Sequence, residues 1–328
     1  MTLDWQVLAI EADREAARIG AQLRDSVAGR LRRRGVVVAI SGGVDSAVCA
    51  ALAVRAFGPE RVLALILPER ESSTESTVRA KSLAAHLGIR PLVEDIGPVL
   101  EAIGCYRRRD EAVRRALPEY AADWRMKLVV AGGIEGGFNH FRLIAESPAG
   151  QRHEARLGLR EYLQIVAATS FKQRIRKTVE YYHADRMNFA VVGTPNRLEF
   201  DQGFFVKNGD GSADLKPIAH LYKSQVYALA AHLQIPPDIA TAPPTTDTYS
   251  LPQGQDEFYF ALPYRQMDLA LWALDHGVEA PDLAQTLGIS EQEAQHVYAD
   301  VRAKRRASAY LHMSPILLGE AGVIGGVD

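Results

Sequence analysis

Six consecutive residues concentrate chemistry in this chain: Ser41-Gly42-Gly43-Val44-Asp45-Ser46, directly after the apolar run Val36-Val37-Val38-Ala39-Ile40. The glycines let a backbone approach a ligand closely, while hydroxyls and the free N–H groups of a helix start face anionic oxygens. The hexapeptide has neither the GxxxxG frame nor the Lys-Ser/Thr pair of the Walker loop. A cradle with no lysine but one carboxylate, Asp45, suits a pyrophosphate group carried with magnesium. A second dense stretch is VGTPNRLEFDQGFFVKNGDGSADLKPI, residues 192–218. There Thr194 offers a hydroxyl at a strand end and Glu199 a carboxylate able to share magnesium with Asp45. Lys207 is a cation, and Asp210 and Asp214 stand in glycine-rich turns.

These groups need a scaffold. The run 36–40 is short and β-branched and reads as a buried strand, and the Ala-rich segment 47–57 has helical spacing. Upstream, residues 5–34 form an amphipathic helix or two, with Arg32-Arg33-Arg34 closing the last one, where cations suit a helix C-terminus. Downstream come a strand at 62–67 ended by Pro68, a helix at 76–87 stopped by Gly88, and a strand at 91–96. This alternation predicts an α/β fold with a parallel, doubly wound sheet, whose ligands bind at the carboxyl ends of the strands. Residues 100–160 are less regular. They hold a charged helix near 110–117, a glycine patch at 132–137 that reads as a flexible connection, and a loop at 148–150. Such a long irregular segment is expected to be partly mobile and to cover the site or a neighbouring subunit. The pattern resumes with a helix at 159–183, a strand at 189–192, a helix at 223–233, a Pro/Thr-rich loop at 242–247, and helices from residue 263. Residues 1–265 are thus expected to form the nucleotide-binding domain, with residues 100–160 as a variable insertion. Residues 266–328 are expected to form a helical C-terminal region.

Composition narrows the classes. With 328 residues, 47% hydrophobic and 24% charged, the chain can bury a substantial core, and a net charge of −2 gives no general attraction to nucleic acid or anionic membranes. Two cysteines, Cys49 and Cys105, make no disulfide framework, and Cys49 reads as a small core residue. The histidines show no zinc-ligand spacing. No apolar run has transmembrane length, and Asp4, Glu11, Asp13 and Glu15 argue against a signal peptide, so a cytoplasmic protein is expected.

The hexapeptide after its strand resembles the pyrophosphate loop of N-type ATP pyrophosphatases, which split ATP between the α and β phosphates. The 192–218 stretch closely resembles the NAD synthetase family, in the pattern VGTxxxxE…GFFxKxGDGxxDxxPI, and the likeness runs from about residue 30 to about residue 265. It implies a Rossmann-like, adenine nucleotide α-hydrolase-type fold. It implies that Ala39, Ile40, Ser41, Gly42, Gly43, Val44, Asp45 and Ser46 hold ATP, with Thr194, Lys223 and Thr245. Asp45 and Glu199 would hold magnesium. Arg174, in the element Phe171-Lys172-Gln173-Arg174-Ile175-Arg176, would meet deamido-NAD together with Lys207, Asp214 and Lys304. The implied reaction is amidation of deamido-NAD by ammonia through an acyl adenylate, in a homodimer.

Three departures stand out. Thr169-Ser170 replaces a frequent Gly-Asn, Ala303 replaces a frequent His, and residues 100–160 are longer than in compact members. Too few residues precede Ser41 for a nitrilase-like glutaminase, so free ammonia or a separate glutaminase subunit is expected as nitrogen source. Two other readings remain open at this stage. One is a related enzyme that adenylates and amidates another carboxylate. The other is a nucleotide-binding regulator whose residues 282–290, with a capping box at Ser290 and Glu293, resemble a helix-turn-helix.

Overall fold

The computed structural model describes residues 3–131, 140–243, 248–252, 254 and 262–318. After a single 3₁₀ turn at Trp5–Leu8 come α1 (Ala12–Arg24), β1 (Val36–Ala39), α2 (Val44–Phe57), β2 (Val62–Ile66), α3 (Thr74–His86) and β3 (Pro91–Val93). Next are α4 (Gly97–Ala102), α5 (Cys105–Ala116), β4 (Arg125–Ala131), β5 (His140–Glu146), β6 (Arg152–Arg156) and the long α6 (Leu159–Met187). The chain continues through β7 (Ala190–Val192), α7 (Arg197–Gln202), α8 (Lys223–His232), α9 (Pro237–Ala240), α10 (Tyr264–Asp275), α11 (Ala280–Leu287) and α12 (Glu291–His312). No helix among the described residues is long and apolar enough to cross a membrane.

The expected parallel sheet is present, in the order β3-β2-β1-β7. Its middle strand is apolar throughout because both faces are covered. Val36 and Val38 face the cluster built with α1, α2, α3 and α8, and Val37 faces the cluster built with α6. The chain runs outward from β1 to β3, then returns to the other side of β1 as β7. The crevice where the order reverses, between the carboxyl ends of β1 and β7, is where open α/β sheets take their ligands.

Two expectations need correction. The basic triplet does not close a helix: the helical residues stop at Arg30, and Arg32 takes a left-handed conformation. From there Arg33 donates from Nη1 to Asn188 Oδ1 (2.6 Å) and Arg34 from its N–H to Asn188 O (2.9 Å), tying the entry of β1 to the end of α6.

The second correction is larger. Residues 100–160 are more regular than expected, and the charged helix near 110–117 is present as α5. They hold two helices and an antiparallel sheet, β4-β5-β6, with an apolar cluster of its own. Met126, Leu128, Leu143 and Ala145 are fully buried on the face toward α5 and α6, while Arg125 and Arg142 point to solvent. The patch at 132–137 lies outside the described residues. Residues from beyond α9 hydrogen-bond to the edge strand β4. The Met126 N–H donates to Ser250 Oγ (2.9 Å), the Leu251 N–H to Met126 O (3.1 Å) and Lys127 Nζ to Pro252 O (3.2 Å).

The C-terminal helices share an apolar cluster with Leu3, Leu8, Leu198 and Tyr222. Ser290 and Glu293 form the expected capping box at the start of α12.

Candidate functional site

The loop between β1 and α2 is held by its own hydroxyls. Ser46 Oγ donates to Gly43 O (3.0 Å) and meets Ser41 Oγ at 3.2 Å, and the Gly43 N–H donates to Ser41 Oγ (3.3 Å). Gly42 has φ +84°, and a Cβ there would lie 2.5 Å from Ser76 O, so no other residue fits without displacing α3. Arg79 closes the contact by donating from Nε to Gly42 O (3.3 Å). Gly43 is the N-cap of α2 and makes no side-chain cap, which leaves the first N–H groups of the helix facing the crevice.

Asp45, on the first turn of α2, meets residues from two remote elements. Lys223, at the start of α8 and 2% exposed, pairs through Nζ with Asp45 Oδ2. Asn196 Nδ2 donates to Asp45 Oδ1 (3.2 Å). Asn196 is also the N-cap of α7: its Oδ1 accepts from the Glu199 N–H and its own N–H donates to Glu199 Oε2, both at 3.1 Å. One asparagine therefore sets the positions of both carboxylates. Lys223 is fixed in turn by Asp268, whose carboxylate accepts from the N–H groups of Lys223 (3.2 Å) and Ser224 (2.7 Å).

The electrostatics follow from this packing. Burial pushes the Glu199 carboxyl up to about 8, with the Asp45 charge adding to the shift and Lys223 opposing it. Burial acts to lower Lys223, but Asp45 and Glu199 outweigh it and hold the ammonium above its ordinary value. Two carboxylates share one buried ammonium, so Glu199 ionises only at a cost, and a divalent cation would offset that cost and fits such a place. Among the described residues no group of three or more His, Cys, Asp or Glu could cage a metal. Magnesium keeps several waters and binds through one or two carboxylates plus substrate phosphates, so Asp45 and Glu199 together are a donor pair that could hold it. Cys49, fully buried beneath Asp45 and Glu199 with its thiol pushed well up by desolvation, is a core residue as expected.

The other residues singled out in the sequence fall in several places. Thr194 follows β7 on the same crevice. Arg174 and Lys207 come together, Arg174 Nε donating to Lys207 O (3.3 Å), while Lys207 Nζ donates to Tyr310 O (2.7 Å) and Met313 O (3.3 Å) at the end of α12. Asp214 accepts from the Val191 N–H (2.7 Å) and from Tyr181 Oη (3.4 Å), so its carboxylate fastens β7. Lys304 pairs with Asp300 one turn back on α12, and it is the neighbouring Arg305 that bridges Asp201 (2.7 Å) and Asp275 (2.6 Å). Thr245 lies outside the described residues.

Sequence reasoning overlooked Asn196, although the Asn-x-x-Glu spacing to Glu199 is a capping-box signature. It also overlooked a buried charge cluster at the carboxyl end of β2, made by Glu69, Glu71, Tyr106, Arg109, Asp110 and Lys172.

Comparison with known proteins agrees with this geometry. The model of the NAD synthase family matches residues 15–133 and 149–307. An NH(3)-dependent NAD(+) synthetase of Mesorhizobium japonicum is 54% identical over 317 residues, covering 96% of this chain and 99% of the relative. Among solved structures, an NMN synthetase from Francisella tularensis superposes with a TM-score of 0.65 at 21% identity, over 94% of this chain and 99% of that one. An NH3-dependent NAD synthetase from Campylobacter jejuni superposes with a TM-score of 0.58 at 21% identity, over 96% and 100%. At that identity the two structures speak for the fold.

Proposed function

Because the chain belongs to the NAD synthase family, we propose that it is an ammonia-dependent ligase that converts deamido-NAD to NAD with ATP. The observation that carries this reading is the meeting of Asp45, Asn196, Glu199 and Lys223 beside the 39–46 cradle, in a chain 54% identical to a synthetase of that kind over nearly its whole length.

The chemistry has two steps. A nicotinate carboxylate oxygen attacks the α-phosphorus of ATP, the bond to the β-phosphate oxygen breaks, and pyrophosphate leaves. Ammonia then attacks the acyl carbon of the adenylate, the bond to AMP breaks, and the ammonia nitrogen loses a proton as the amide forms. The activation is needed because a carboxylate oxygen is a poor leaving group, whereas AMP is a good one.

In this reading residues 39–46 hold the phosphates with the helix start of α2, and Thr194, Lys223 and Thr245 complete the ATP site. Lys223 supplies a fixed positive charge where pyrophosphate builds negative charge. Asp45 and Glu199 would hold magnesium, which offsets phosphate charge when bound. Arg174, Lys207, Asp214 and Lys304 contact deamido-NAD. Ammonia arrives free or from a separate glutaminase subunit, and the enzyme works in the cytoplasm as a homodimer.

The test is release of AMP and pyrophosphate with ATP, magnesium and ammonia, with and without deamido-NAD. Deamido-NAD-dependent AMP, equal to the NAD formed, is the expected result. Turnover only with another carboxylate, such as nicotinate mononucleotide, would overturn the choice of acceptor.

A further inference from the structure

Lys172 is 1% exposed, yet its ammonium has a partner for each of its three N–H groups. Nζ donates to Glu69 Oε1 (3.0 Å), to Glu71 Oε2 (2.6 Å) and to Thr248 O (2.9 Å). Each acceptor belongs to a different neighbour or is shared with one. Glu69 also accepts from Tyr106 Oη on α5 (2.6 Å). Glu71 also accepts from Arg109 Nη1 (2.6 Å), and Arg109 in turn holds Asp110 (2.8 Å). Thr248 leads into the segment that hydrogen-bonds to β4. Through these contacts one buried ammonium joins α6, the loop after β2, α5 and the segment that bonds to the edge of β4. One turn further along α6, Arg176 Nε donates to Leu67 O (3.4 Å), a second tie to the end of β2.

The loop after β2 leads directly into α3, which walls the phosphate cradle by meeting Gly42 through Ser76 and Arg79. Arg174 lies two residues beyond Lys172 on the same helix. We propose that Lys172 is a positioning residue: it fixes where α6 stands along the carboxyl edge of the sheet, and so where the acceptor carried by Arg174 stands relative to the α-phosphate held by the cradle. The proposal rests on the reading of Arg174 as a deamido-NAD contact. In-line attack on phosphorus tolerates little error, and a displacement of about 1 Å costs about a hundredfold in rate. Each substrate would still bind its own half of the site.

The experiment compares full-length Lys172→Met, Lys172→Arg and Arg174→Ala, with turnover expressed per folded molecule. Calorimetry gives Kd for ATP and for deamido-NAD separately. Lys172→Met is expected to lower kcat by about a hundredfold while either Kd changes by less than about threefold. Lys172→Arg should recover part of the loss, because a guanidinium keeps the charge and several donors. A lower melting temperature with unchanged kcat in Lys172→Met would overturn the proposal and leave a stabilising residue only. If Lys172→Met does not fold, Glu71→Gln answers the same question, since it weakens one tether and leaves Glu69. Its kcat is expected to fall about tenfold, and an unchanged kcat overturns the proposal. Arg174→Ala separates the two readings. Unchanged deamido-NAD affinity in that variant overturns the acceptor contact and the proposal with it, whereas weakened affinity beside an unaffected Lys172→Met overturns the proposal alone.

Discussion

Two buried lysines stand at the carboxyl edge of one sheet, and their surroundings differ in charge balance. Lys223 faces Asp45 and Glu199, two carboxylates for one cation, and Glu199 is pushed up to about 8 by burial and by Asp45. Lys172 stands among Glu69, Glu71 and Asp110 with Arg109, and each of these carboxylates meets a cation directly: Glu69 meets Lys172, Glu71 meets Lys172 and Arg109, and Asp110 meets Arg109. Burial acts to raise Glu71 as well, but Lys172 and Arg109 more than reverse it and the carboxyl falls below its ordinary value. Burial alone therefore does not mark a reactive site. The cluster with unmatched charge is the one prepared for a cation from outside, and the matched cluster is complete as built.

The contrast can be broken by experiment. The largest effect is expected in the matched cluster. Arg109→Met leaves Glu71 and Asp110 buried with one cation fewer, and should cost about 3–5 kcal/mol of stability in denaturant unfolding. A loss below about 1 kcal/mol would mean the cluster is not balanced as described.

Asp45→Asn, in the unmatched cluster, should behave in the opposite way. Turnover should fall by about two to three orders of magnitude, as on removal of a key electrostatic group, while the thermal unfolding midpoint barely moves. Near-normal turnover at saturating magnesium would remove Asp45 from the metal site.

Arg174→Ala touches neither cluster. It should weaken deamido-NAD binding by about tenfold, the scale of one hydrogen bond to a charged group, and leave ATP binding unchanged in calorimetry.

The smallest effect is a control on a half-exposed pair that belongs to neither cluster. Arg18 holds the Glu15 carboxyl down to about 2, against the opposing effect of burial and with help from His220. A depressed carboxyl stabilises the fold above its unfolded value of 4.5, and that contribution is lost as pH falls through about 2. The melting difference between the protein and Glu15→Gln should thus be small and positive at neutral pH. It should shrink as the pH is lowered from 4.5 toward 2.

What could be read in advance was local. β1, the cradle and α2 are contiguous, so a β-branched run, a glycine turn and an Ala-rich helix announce themselves within a short window. Asn196 was equally local and could have been found from its spacing to Glu199. The antiparallel sheet was harder. Its alternation is visible in Arg125-Met126-Lys127-Leu128, but β6 reads Arg152-His153-Glu154-Ala155-Arg156, with hardly an apolar face to mark it as a strand. The Lys172 cluster had no sequence signal. Its partners lie 103 and 101 positions away, at Glu69 and Glu71, and only the fold brings them together.

The long helix α6 has 29 residues and spans about 43 Å, and it serves two hydrophobic cores in turn. Ile165, near its start, belongs to the cluster of the antiparallel sheet, whereas Phe171, Ile175, Val179 and Ala184 pack beneath the parallel sheet. A rod common to two cores couples their unfolding, because melting either one strips apolar support from the same backbone. The antiparallel sheet is thus part of one cooperative unit, and denaturation should follow a single transition by probes placed in either sheet.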